Sequence, residues 1–202
     1  MKPLKYKRRL NKLEIKQLPA FEGVSLERIK VIKHESDIDE VATSILGADV
    51  VGFDTETKPN FIAGEIPNGI SLVQVASHEG ALLFKLTDNA VCEVVEQLIH
   101  TNSVLKVGFG LKQDKQQLFR RFGSELRNAK DLSTEFSRYG IKQKVGAQAA
   151  VAMALGMQLA KPKHIQLSNW DNDKLSRSQM VYAANDAYSA YEVYQALFSG
   201  EE

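Results

Sequence analysis

Val50-Val51-Gly52-Phe53-Asp54-Thr55-Glu56-Thr57 is the stretch on which the reading of this chain turns. Val50, Val51 and Phe53 have the character of a buried strand, and they run straight into two acids. Asp54 and Glu56 are two positions apart, so an extended backbone points both carboxylates to one face. Acids that close repel each other unless a cation sits between them. Taken alone, the pair also fits a polar strand end facing water. Lys58-Pro59-Asn60 then breaks the strand.

Working outward, Arg28 to Lys33 reads as a strand. Asp37 to Leu46 reads as a helix with Ile38, Val41, Ala42 and Ile45 on one face. Ser71 to Ala76 and Ala81 to Leu86 are strands joined by a turn at His78-Glu79-Gly80. A helix over Val91 to His100, a strand over Val104 to Phe109 and a helix over Leu111 to Phe122 follow. A short strand is expected near Ala129 to Leu132, and a helix from Ala147 to Leu155 ending at Gly156. Lys161 to Asp173 is polar and irregular. The last helix, Arg177 to Phe198, opens on a capping box of Ser176 and Gln179. Its apolar stripe is Met180, Ala184, Ala187, Tyr191, Tyr194 and Phe198. The pattern predicts an α/β fold, a mixed sheet flanked by helices.

The 202 residues suit one domain with a small appendage. Hydrophobic residues at 44% and charged residues at 25% argue against wholesale disorder. No apolar run reaches the roughly 18 residues of a membrane span, and residues 1–20 lack the apolar core of a signal peptide. Cys92 is the lone cysteine, which excludes an internal disulfide and a CxxC metal site and fits a reducing, cytoplasmic setting. The net charge of +1 divides unevenly: residues 1–20 carry +6 and the rest −5. We therefore expect a basic arm over residues 1–22 and a mildly acidic domain over residues 23–202. Basic blocks of this kind are usually solvated tails and sometimes nucleic-acid contacts.

Two further sites carry acids. Asp114 lies in the first turn of a predicted helix, where a carboxylate suits the dipole. The preceding Gly108-Phe109-Gly110 fails as a dinucleotide fingerprint, because residue 113 is Gln113. Tyr182 and Asp186 are neighbours on the last helix at i and i+4. They lie ~200° away from the expected core stripe, so they can face a separate cleft. The histidines His34, His78, His100 and His164 show no ligand spacing.

The order of these motifs is more telling than any one of them. Val-Gly-Phe-Asp54-Thr-Glu56-Thr, Val-Gly-Phe-Gly-Leu-Lys-Gln-Asp114 and Tyr182-Ala-Ala-Asn-Asp186-Ala-Tyr together resemble the tyrosine-containing branch of the DEDD 3′–5′ exonucleases. Ser71-Leu-Val-Gln-Val75 and Leu167-Ser-Asn-Trp170 make the chain most similar to the ribonuclease D and Werner-type exonuclease domains. The resemblance covers about residues 28–198. It implies a ribonuclease H-like fold and two divalent cations, Mg²⁺ or Mn²⁺, held by Asp54, Glu56, Asp114 and Asp186. It also implies that Tyr182 positions the attacking water. The branch with histidine as base is not matched, since the corresponding residue is Val181.

The expected partner is a nucleic acid with a free 3′ end, DNA or RNA, and no membrane. Lys112, Lys115, Lys161, Lys163 and Arg177 are candidate phosphate contacts, and Phe61 a candidate base-stacking residue. Trp170 is expected to be structural. Two rivals are an oligoribonuclease-like enzyme for very short RNAs and a non-catalytic nucleic-acid-binding module on the same fold. All four acids and the tyrosine are present, which disfavours the second.

Overall fold

The computed structural model describes residues 3–60 and 68–199. At its centre lies a sheet ordered β1-β4-β3-β2-β5-β6. The strands are β1 (Ile29–Ile32), β2 (Val50–Thr57), β3 (Ile70–Ser77), β4 (Gly80–Lys85), β5 (Leu105–Gly108) and β6 (Ala129–Asp131). β2, β3 and β4 form an antiparallel meander, while β1, β5 and β6 add parallel to their neighbours. The helices are α1 (Lys12–Lys16), α2 (Glu40–Leu46), α3 (Asn89–His100), α4 (Lys112–Phe122), α5 (Ala147–Leu155), α6 (Lys163–Gln166) and α7 (Arg177–Phe198). The expected mixed sheet flanked by helices is what forms.

Strand alternation divides the side chains between two layers. Val51, Phe53, Val73, Val75, Leu82 and Phe84 pack with residues of α2, α3 and α4. Leu72, Ala76, Ala81 and Leu83 pack with Ala183, Ala184 and Ala187 of α7. Every residue of β3 and β4 is buried, because helices cover both faces. Gly52 sits on the α7 face, where an added Cβ would lie 1.8 Å from the Ala187 carbonyl oxygen. The alanines of α7 and the glycine of β2 let two backbones meet with no side chain between them.

The local chemistry accounts for most boundaries. Asp39, Asp88 and Ser176 cap α2, α3 and α7 through their side chains. α2 starts three residues later than expected, because Asp37 closes a 3₁₀ turn instead. A 3₁₀ segment over Leu132–Tyr139 and the one-turn α6 lie where the sequence offers no clear helical period. The stripe expected on α7 is too narrow. Met180, Tyr194 and Phe198 are only half-buried, while Tyr182, Ala183, Asp186, Ala190 and Val193 are buried. The sheet, α5 and the segment before α7 enclose the helix on several sides, so one stripe cannot describe it.

The arm lies against the body. Leu4 and Leu10 are buried, and the Tyr6 amide donates to the Met153 carbonyl at 3.1 Å. The Phe21 amide donates to the Gln158 carbonyl at 2.9 Å, and the Gln158 amide to the Pro19 carbonyl at 2.8 Å. α1 is only five residues long, and Leu13 on it is 72% exposed. Among the described residues, no helix is long and apolar enough to cross a membrane.

Candidate active site

β2 delivers the first two acids. Gly52, Asp54 and Glu56 share the face turned to α7, and α7 presents Asp186 to them. Oxygens of Asp54, Glu56 and Asp186 lie within 4.8 Å of one another. The close approach at Gly52 brings this about, since a bulkier residue there would hold α7 off the strand that carries Asp54.

Asp114 arrives from the other layer. Thr55 faces α4, and its hydroxyl donates to Asp114 Oδ1 at 2.6 Å. The tight turn before α4 depends on Gly110, whose φ of +72° suits glycine. The Gly110 amide donates to Asp131 Oδ1 at 2.9 Å, so β6 fixes this turn. Asp54, Glu56, Asp114, Tyr182 and Asp186 all line one open cavity of about 660 Å³. A second cavity of about 310 Å³ also reaches Asp54 and Asp186.

The acids repel one another in a poorly hydrated place. Burial, then Asp186 and Asp114, raise the Asp54 carboxyl well above its ordinary range. Burial and the Asp54 charge push Glu56 up to about 9. Burial also raises Asp114 and Asp186. Tyr182 is raised by burial and by the neighbouring carboxylates, so its phenol keeps its proton at neutral pH. Lys161 supplies the nearby positive charge. Its Nζ lies 2.9 Å from Asp186 Oδ2 and 5.7 Å from the centre of the Tyr182 ring. Burial lowers the Lys161 ammonium, but Asp186, Asp54 and Glu56 outweigh that and raise it.

The segment Leu167-Ser-Asn-Trp170 backs the tyrosine. Trp170 is fully buried, its ring centre 5.9 Å from that of Tyr182. The Trp170 indole donates to the Gln166 carbonyl at 3.2 Å, and Lys85 Nζ donates to the Trp170 carbonyl at 2.7 Å. Gln179 Nε2 donates to Ser168 Oγ at 2.9 Å. Trp170 is thus structural, as expected, and it braces the start of α7.

The proposed phosphate contacts fare differently. Lys112, Lys115, Lys163 and Arg177 are exposed, and none lines either cavity at the acids. Lys115 instead borders a separate cavity with Phe119 and Arg120. Phe61 lies outside the described residues. Lys161, grouped by sequence with the strand contacts, is paired with an acid. Lys144 of the smaller cavity was not singled out, because its surroundings have no periodic pattern.

All-oxygen donors of high charge suit a hard divalent cation, and an ammonium drawn among them marks the charge such an ion would balance. The raised carboxyls have a consequence for stability. A carboxyl raised on folding stabilises the fold below its unfolded value, and that contribution is lost as pH rises toward its folded value. In EDTA the melting temperature should fall from pH 6 to pH 9, by roughly 3–5 °C per pH unit for one proton. A divalent cation such as Mg²⁺ would bind the ionised form, so the rise in melting temperature on adding it should grow over the same range. Calorimetry with and without Mg²⁺ checks both slopes.

Residues 29–199 match the family model described as 3′-5′ exonuclease. An Arabidopsis thaliana 3′-5′ exonuclease is 28% identical over 175 residues, covering 86% of this chain and 58% of that protein. The mouse bifunctional 3′-5′ exonuclease/ATP-dependent helicase WRN is 31% identical over 163 residues, covering 79% of this chain and 12% of that protein. This chain therefore spans little more than half of the first relative and a small part of the second. Among solved structures, Trypanosoma brucei RNase D in complex with RNA U12 superposes with a TM-score of 0.73 at 20% identity, covering 86% of this chain and 63% of that one. Brucella melitensis NrnC bound to pGG gives 0.63 at 19% identity, covering 84% and 78%. The fold is ribonuclease H-like, and the chain belongs to the 3′-5′ exonuclease family.

Proposed function

We propose that this chain removes nucleotides one at a time from the 3′ end of a nucleic acid, by divalent-cation-dependent hydrolysis that releases nucleoside 5′-monophosphates. The observation that carries the reading is the meeting of Asp54, Glu56 and Asp186 within 4.8 Å, on the wall of a cavity that also takes in Asp114 and Tyr182. Asp54, Glu56 and Asp186 would hold one divalent ion, and Asp114 with Asp54 a second, either Mg²⁺ or Mn²⁺. When bound, such ions offset the charge of the phosphodiester and acidify a water at neutral pH.

The remaining work falls to the chain's own groups. Tyr182 is a poor base, because its phenol holds its proton. It serves by hydrogen-bonding the attacking water and fixing its direction, with the Trp170 ring limiting its movement. Lys161 can leave Asp186 for a phosphate oxygen once cations occupy the acids. The 660 Å³ cavity is large enough for a terminal nucleotide.

A time course on DNA and RNA 20-mers, labelled at the 5′ or the 3′ end, tests the reading with Mg²⁺ or Mn²⁺. The 5′-labelled strand should shorten stepwise, the 3′-labelled strand should release mononucleotide from the outset, and EDTA should stop both. Shortening from the 5′ end, or intact strands with folded protein, would overturn it. A second reading, an enzyme restricted to very short RNAs, is supported by the likeness to NrnC bound to pGG. Strong preference for a dinucleotide over the 20-mer would favour it.

A further inference from the structure

Part of the N-terminal arm shares a groove with Lys161, the lysine that pairs with Asp186. α1 carries a complete capping box, with Asn11 Oδ1 accepting the Glu14 amide at 3.0 Å and the Asn11 amide donating to Glu14 Oε2 at 2.8 Å. Glu14 is the single acid among residues 1–20, and the Arg8 guanidinium engages it at 3.0 Å. Among the described residues, that pairing leaves Lys5, Lys7, Arg9, Lys12 and Lys16 as cations with no carboxylate of residues 1–20 to balance them. Arg9 is held over the body by Gln143, to which its Nη1 donates at 3.3 Å.

A groove of about 470 Å³ runs between α1 and α5, with Arg9, Lys12 and Ile15 on one wall and Gly146, Ala147 and Lys161 on the other. Those last three residues also line the 310 Å³ cavity that reaches Asp54 and Asp186. The two hollows therefore adjoin, and together they form a stretch of surface between the acids and the arm. Its cations are Lys161 and Lys144 near the acids, then Arg9 and Lys12. The floor is the start of α5, capped by Gly146 without a side-chain bond, so its first amides face this stretch unpaired by a cap. The buried Ser133 hydroxyl, on the same cavity wall, finds no hydrogen-bond partner among the described residues.

We propose that the arm is a working wall of the cleft. Arg9 and Lys12, with the α5 N-terminus, grip backbone phosphates of the single strand whose 3′ end lies at the acids. This rests on the exonuclease reading and adds to it a preference for strands longer than a dinucleotide. A row of cations spaced along a groove suits a polyanion of repeating phosphates better than a single anion.

The test compares the wild type with R9Q/K12Q and with K7Q/K16Q, which removes the same charge from exposed arm residues outside the groove. Fluorescence anisotropy in EDTA reads binding of a labelled 20-mer without cleavage. R9Q/K12Q should weaken binding roughly tenfold and reduce the salt slope by about 1.4, the share of two phosphates on a single strand. In Mg²⁺, its kcat/KM ratio of 20-mer to dinucleotide should fall by a similar factor, while K7Q/K16Q changes that ratio less than twofold. Equal slopes for wild type and R9Q/K12Q, or equal losses in both variants, would overturn the proposal. A wild type that binds the 20-mer with the full slope but cuts nothing would count against the exonuclease reading instead. Melting temperatures of both variants guard against loss of fold.

Discussion

Asp54→Asn should reduce cleavage by a factor on the order of 10³ or more while making the metal-free protein more stable. The two effects have one cause. Asp54 lies at the centre of the cluster, within reach of Glu56 and Asp186 and repelled by Asp114. A neutral amide there removes a proposed cation ligand and also a carboxylate that burial, Asp186 and Asp114 all disfavour as a charge. In EDTA at pH 8 its melting temperature should exceed that of the wild type, and the gain on adding Mg²⁺ should shrink. Asp186→Asn should lose as much activity with a smaller gain in stability, because it strands the Lys161 ammonium that Asp186 holds at 2.9 Å. Single-turnover cleavage and calorimetry on the same preparations check the pair of signs. Full activity in either variant would remove the acids from the mechanism.

The second large effect is expected far from any charge. Gly52→Ala should destabilise the fold by at least ~2 kcal/mol, lowering the melting temperature by about 5–10 °C. The new Cβ would meet the Ala187 carbonyl oxygen at 1.8 Å, and backbone on both sides leaves nothing flexible to yield. α7 must move outward, and Asp186, one residue from that contact, moves with it. A displacement near 1 Å can cost ~10²-fold in rate, so kcat measured well below the melting temperature should fall although no catalytic side chain has changed. Gly110→Ala offers a contrast: its Cβ would meet nothing within 4 Å, and the cost there is the positive φ alone.

Sequence and structure agree where the physics is local. Alternation in β2 put Asp54 and Glu56 on one face, and the capping box at Ser176 set the start of α7. The i, i+4 relation of Tyr182 and Asp186 put both over one cavity. What escaped the reading depends on contacts between distant segments. Asp114 reaches the acids around the strand end through Thr55, and no spacing within either segment announces that bond. Lys161 sits in an irregular stretch, so its partner could not be inferred from a period. Lys112, Lys115, Lys163 and Arg177 are near the motifs in sequence and line neither cavity at the acids. The arm read as a charge excess, whereas buried Leu4 and Leu10 make it part of the packed surface.

The contact between Gly52 and α7 also bears on when this site can exist. Asp54 and Asp186 are separated by most of the chain, so no local segment holds both. Closing that long loop is the entropic cost of assembling the cluster, and it is met when α7 docks on β2. Until then Asp54 and Glu56 stand on their strand without their third neighbour. Undocking of α7 would undo the cluster even if the sheet stayed intact. The three-acid cluster is thus a product of tertiary packing, and a copy in which α7 is undocked lacks it.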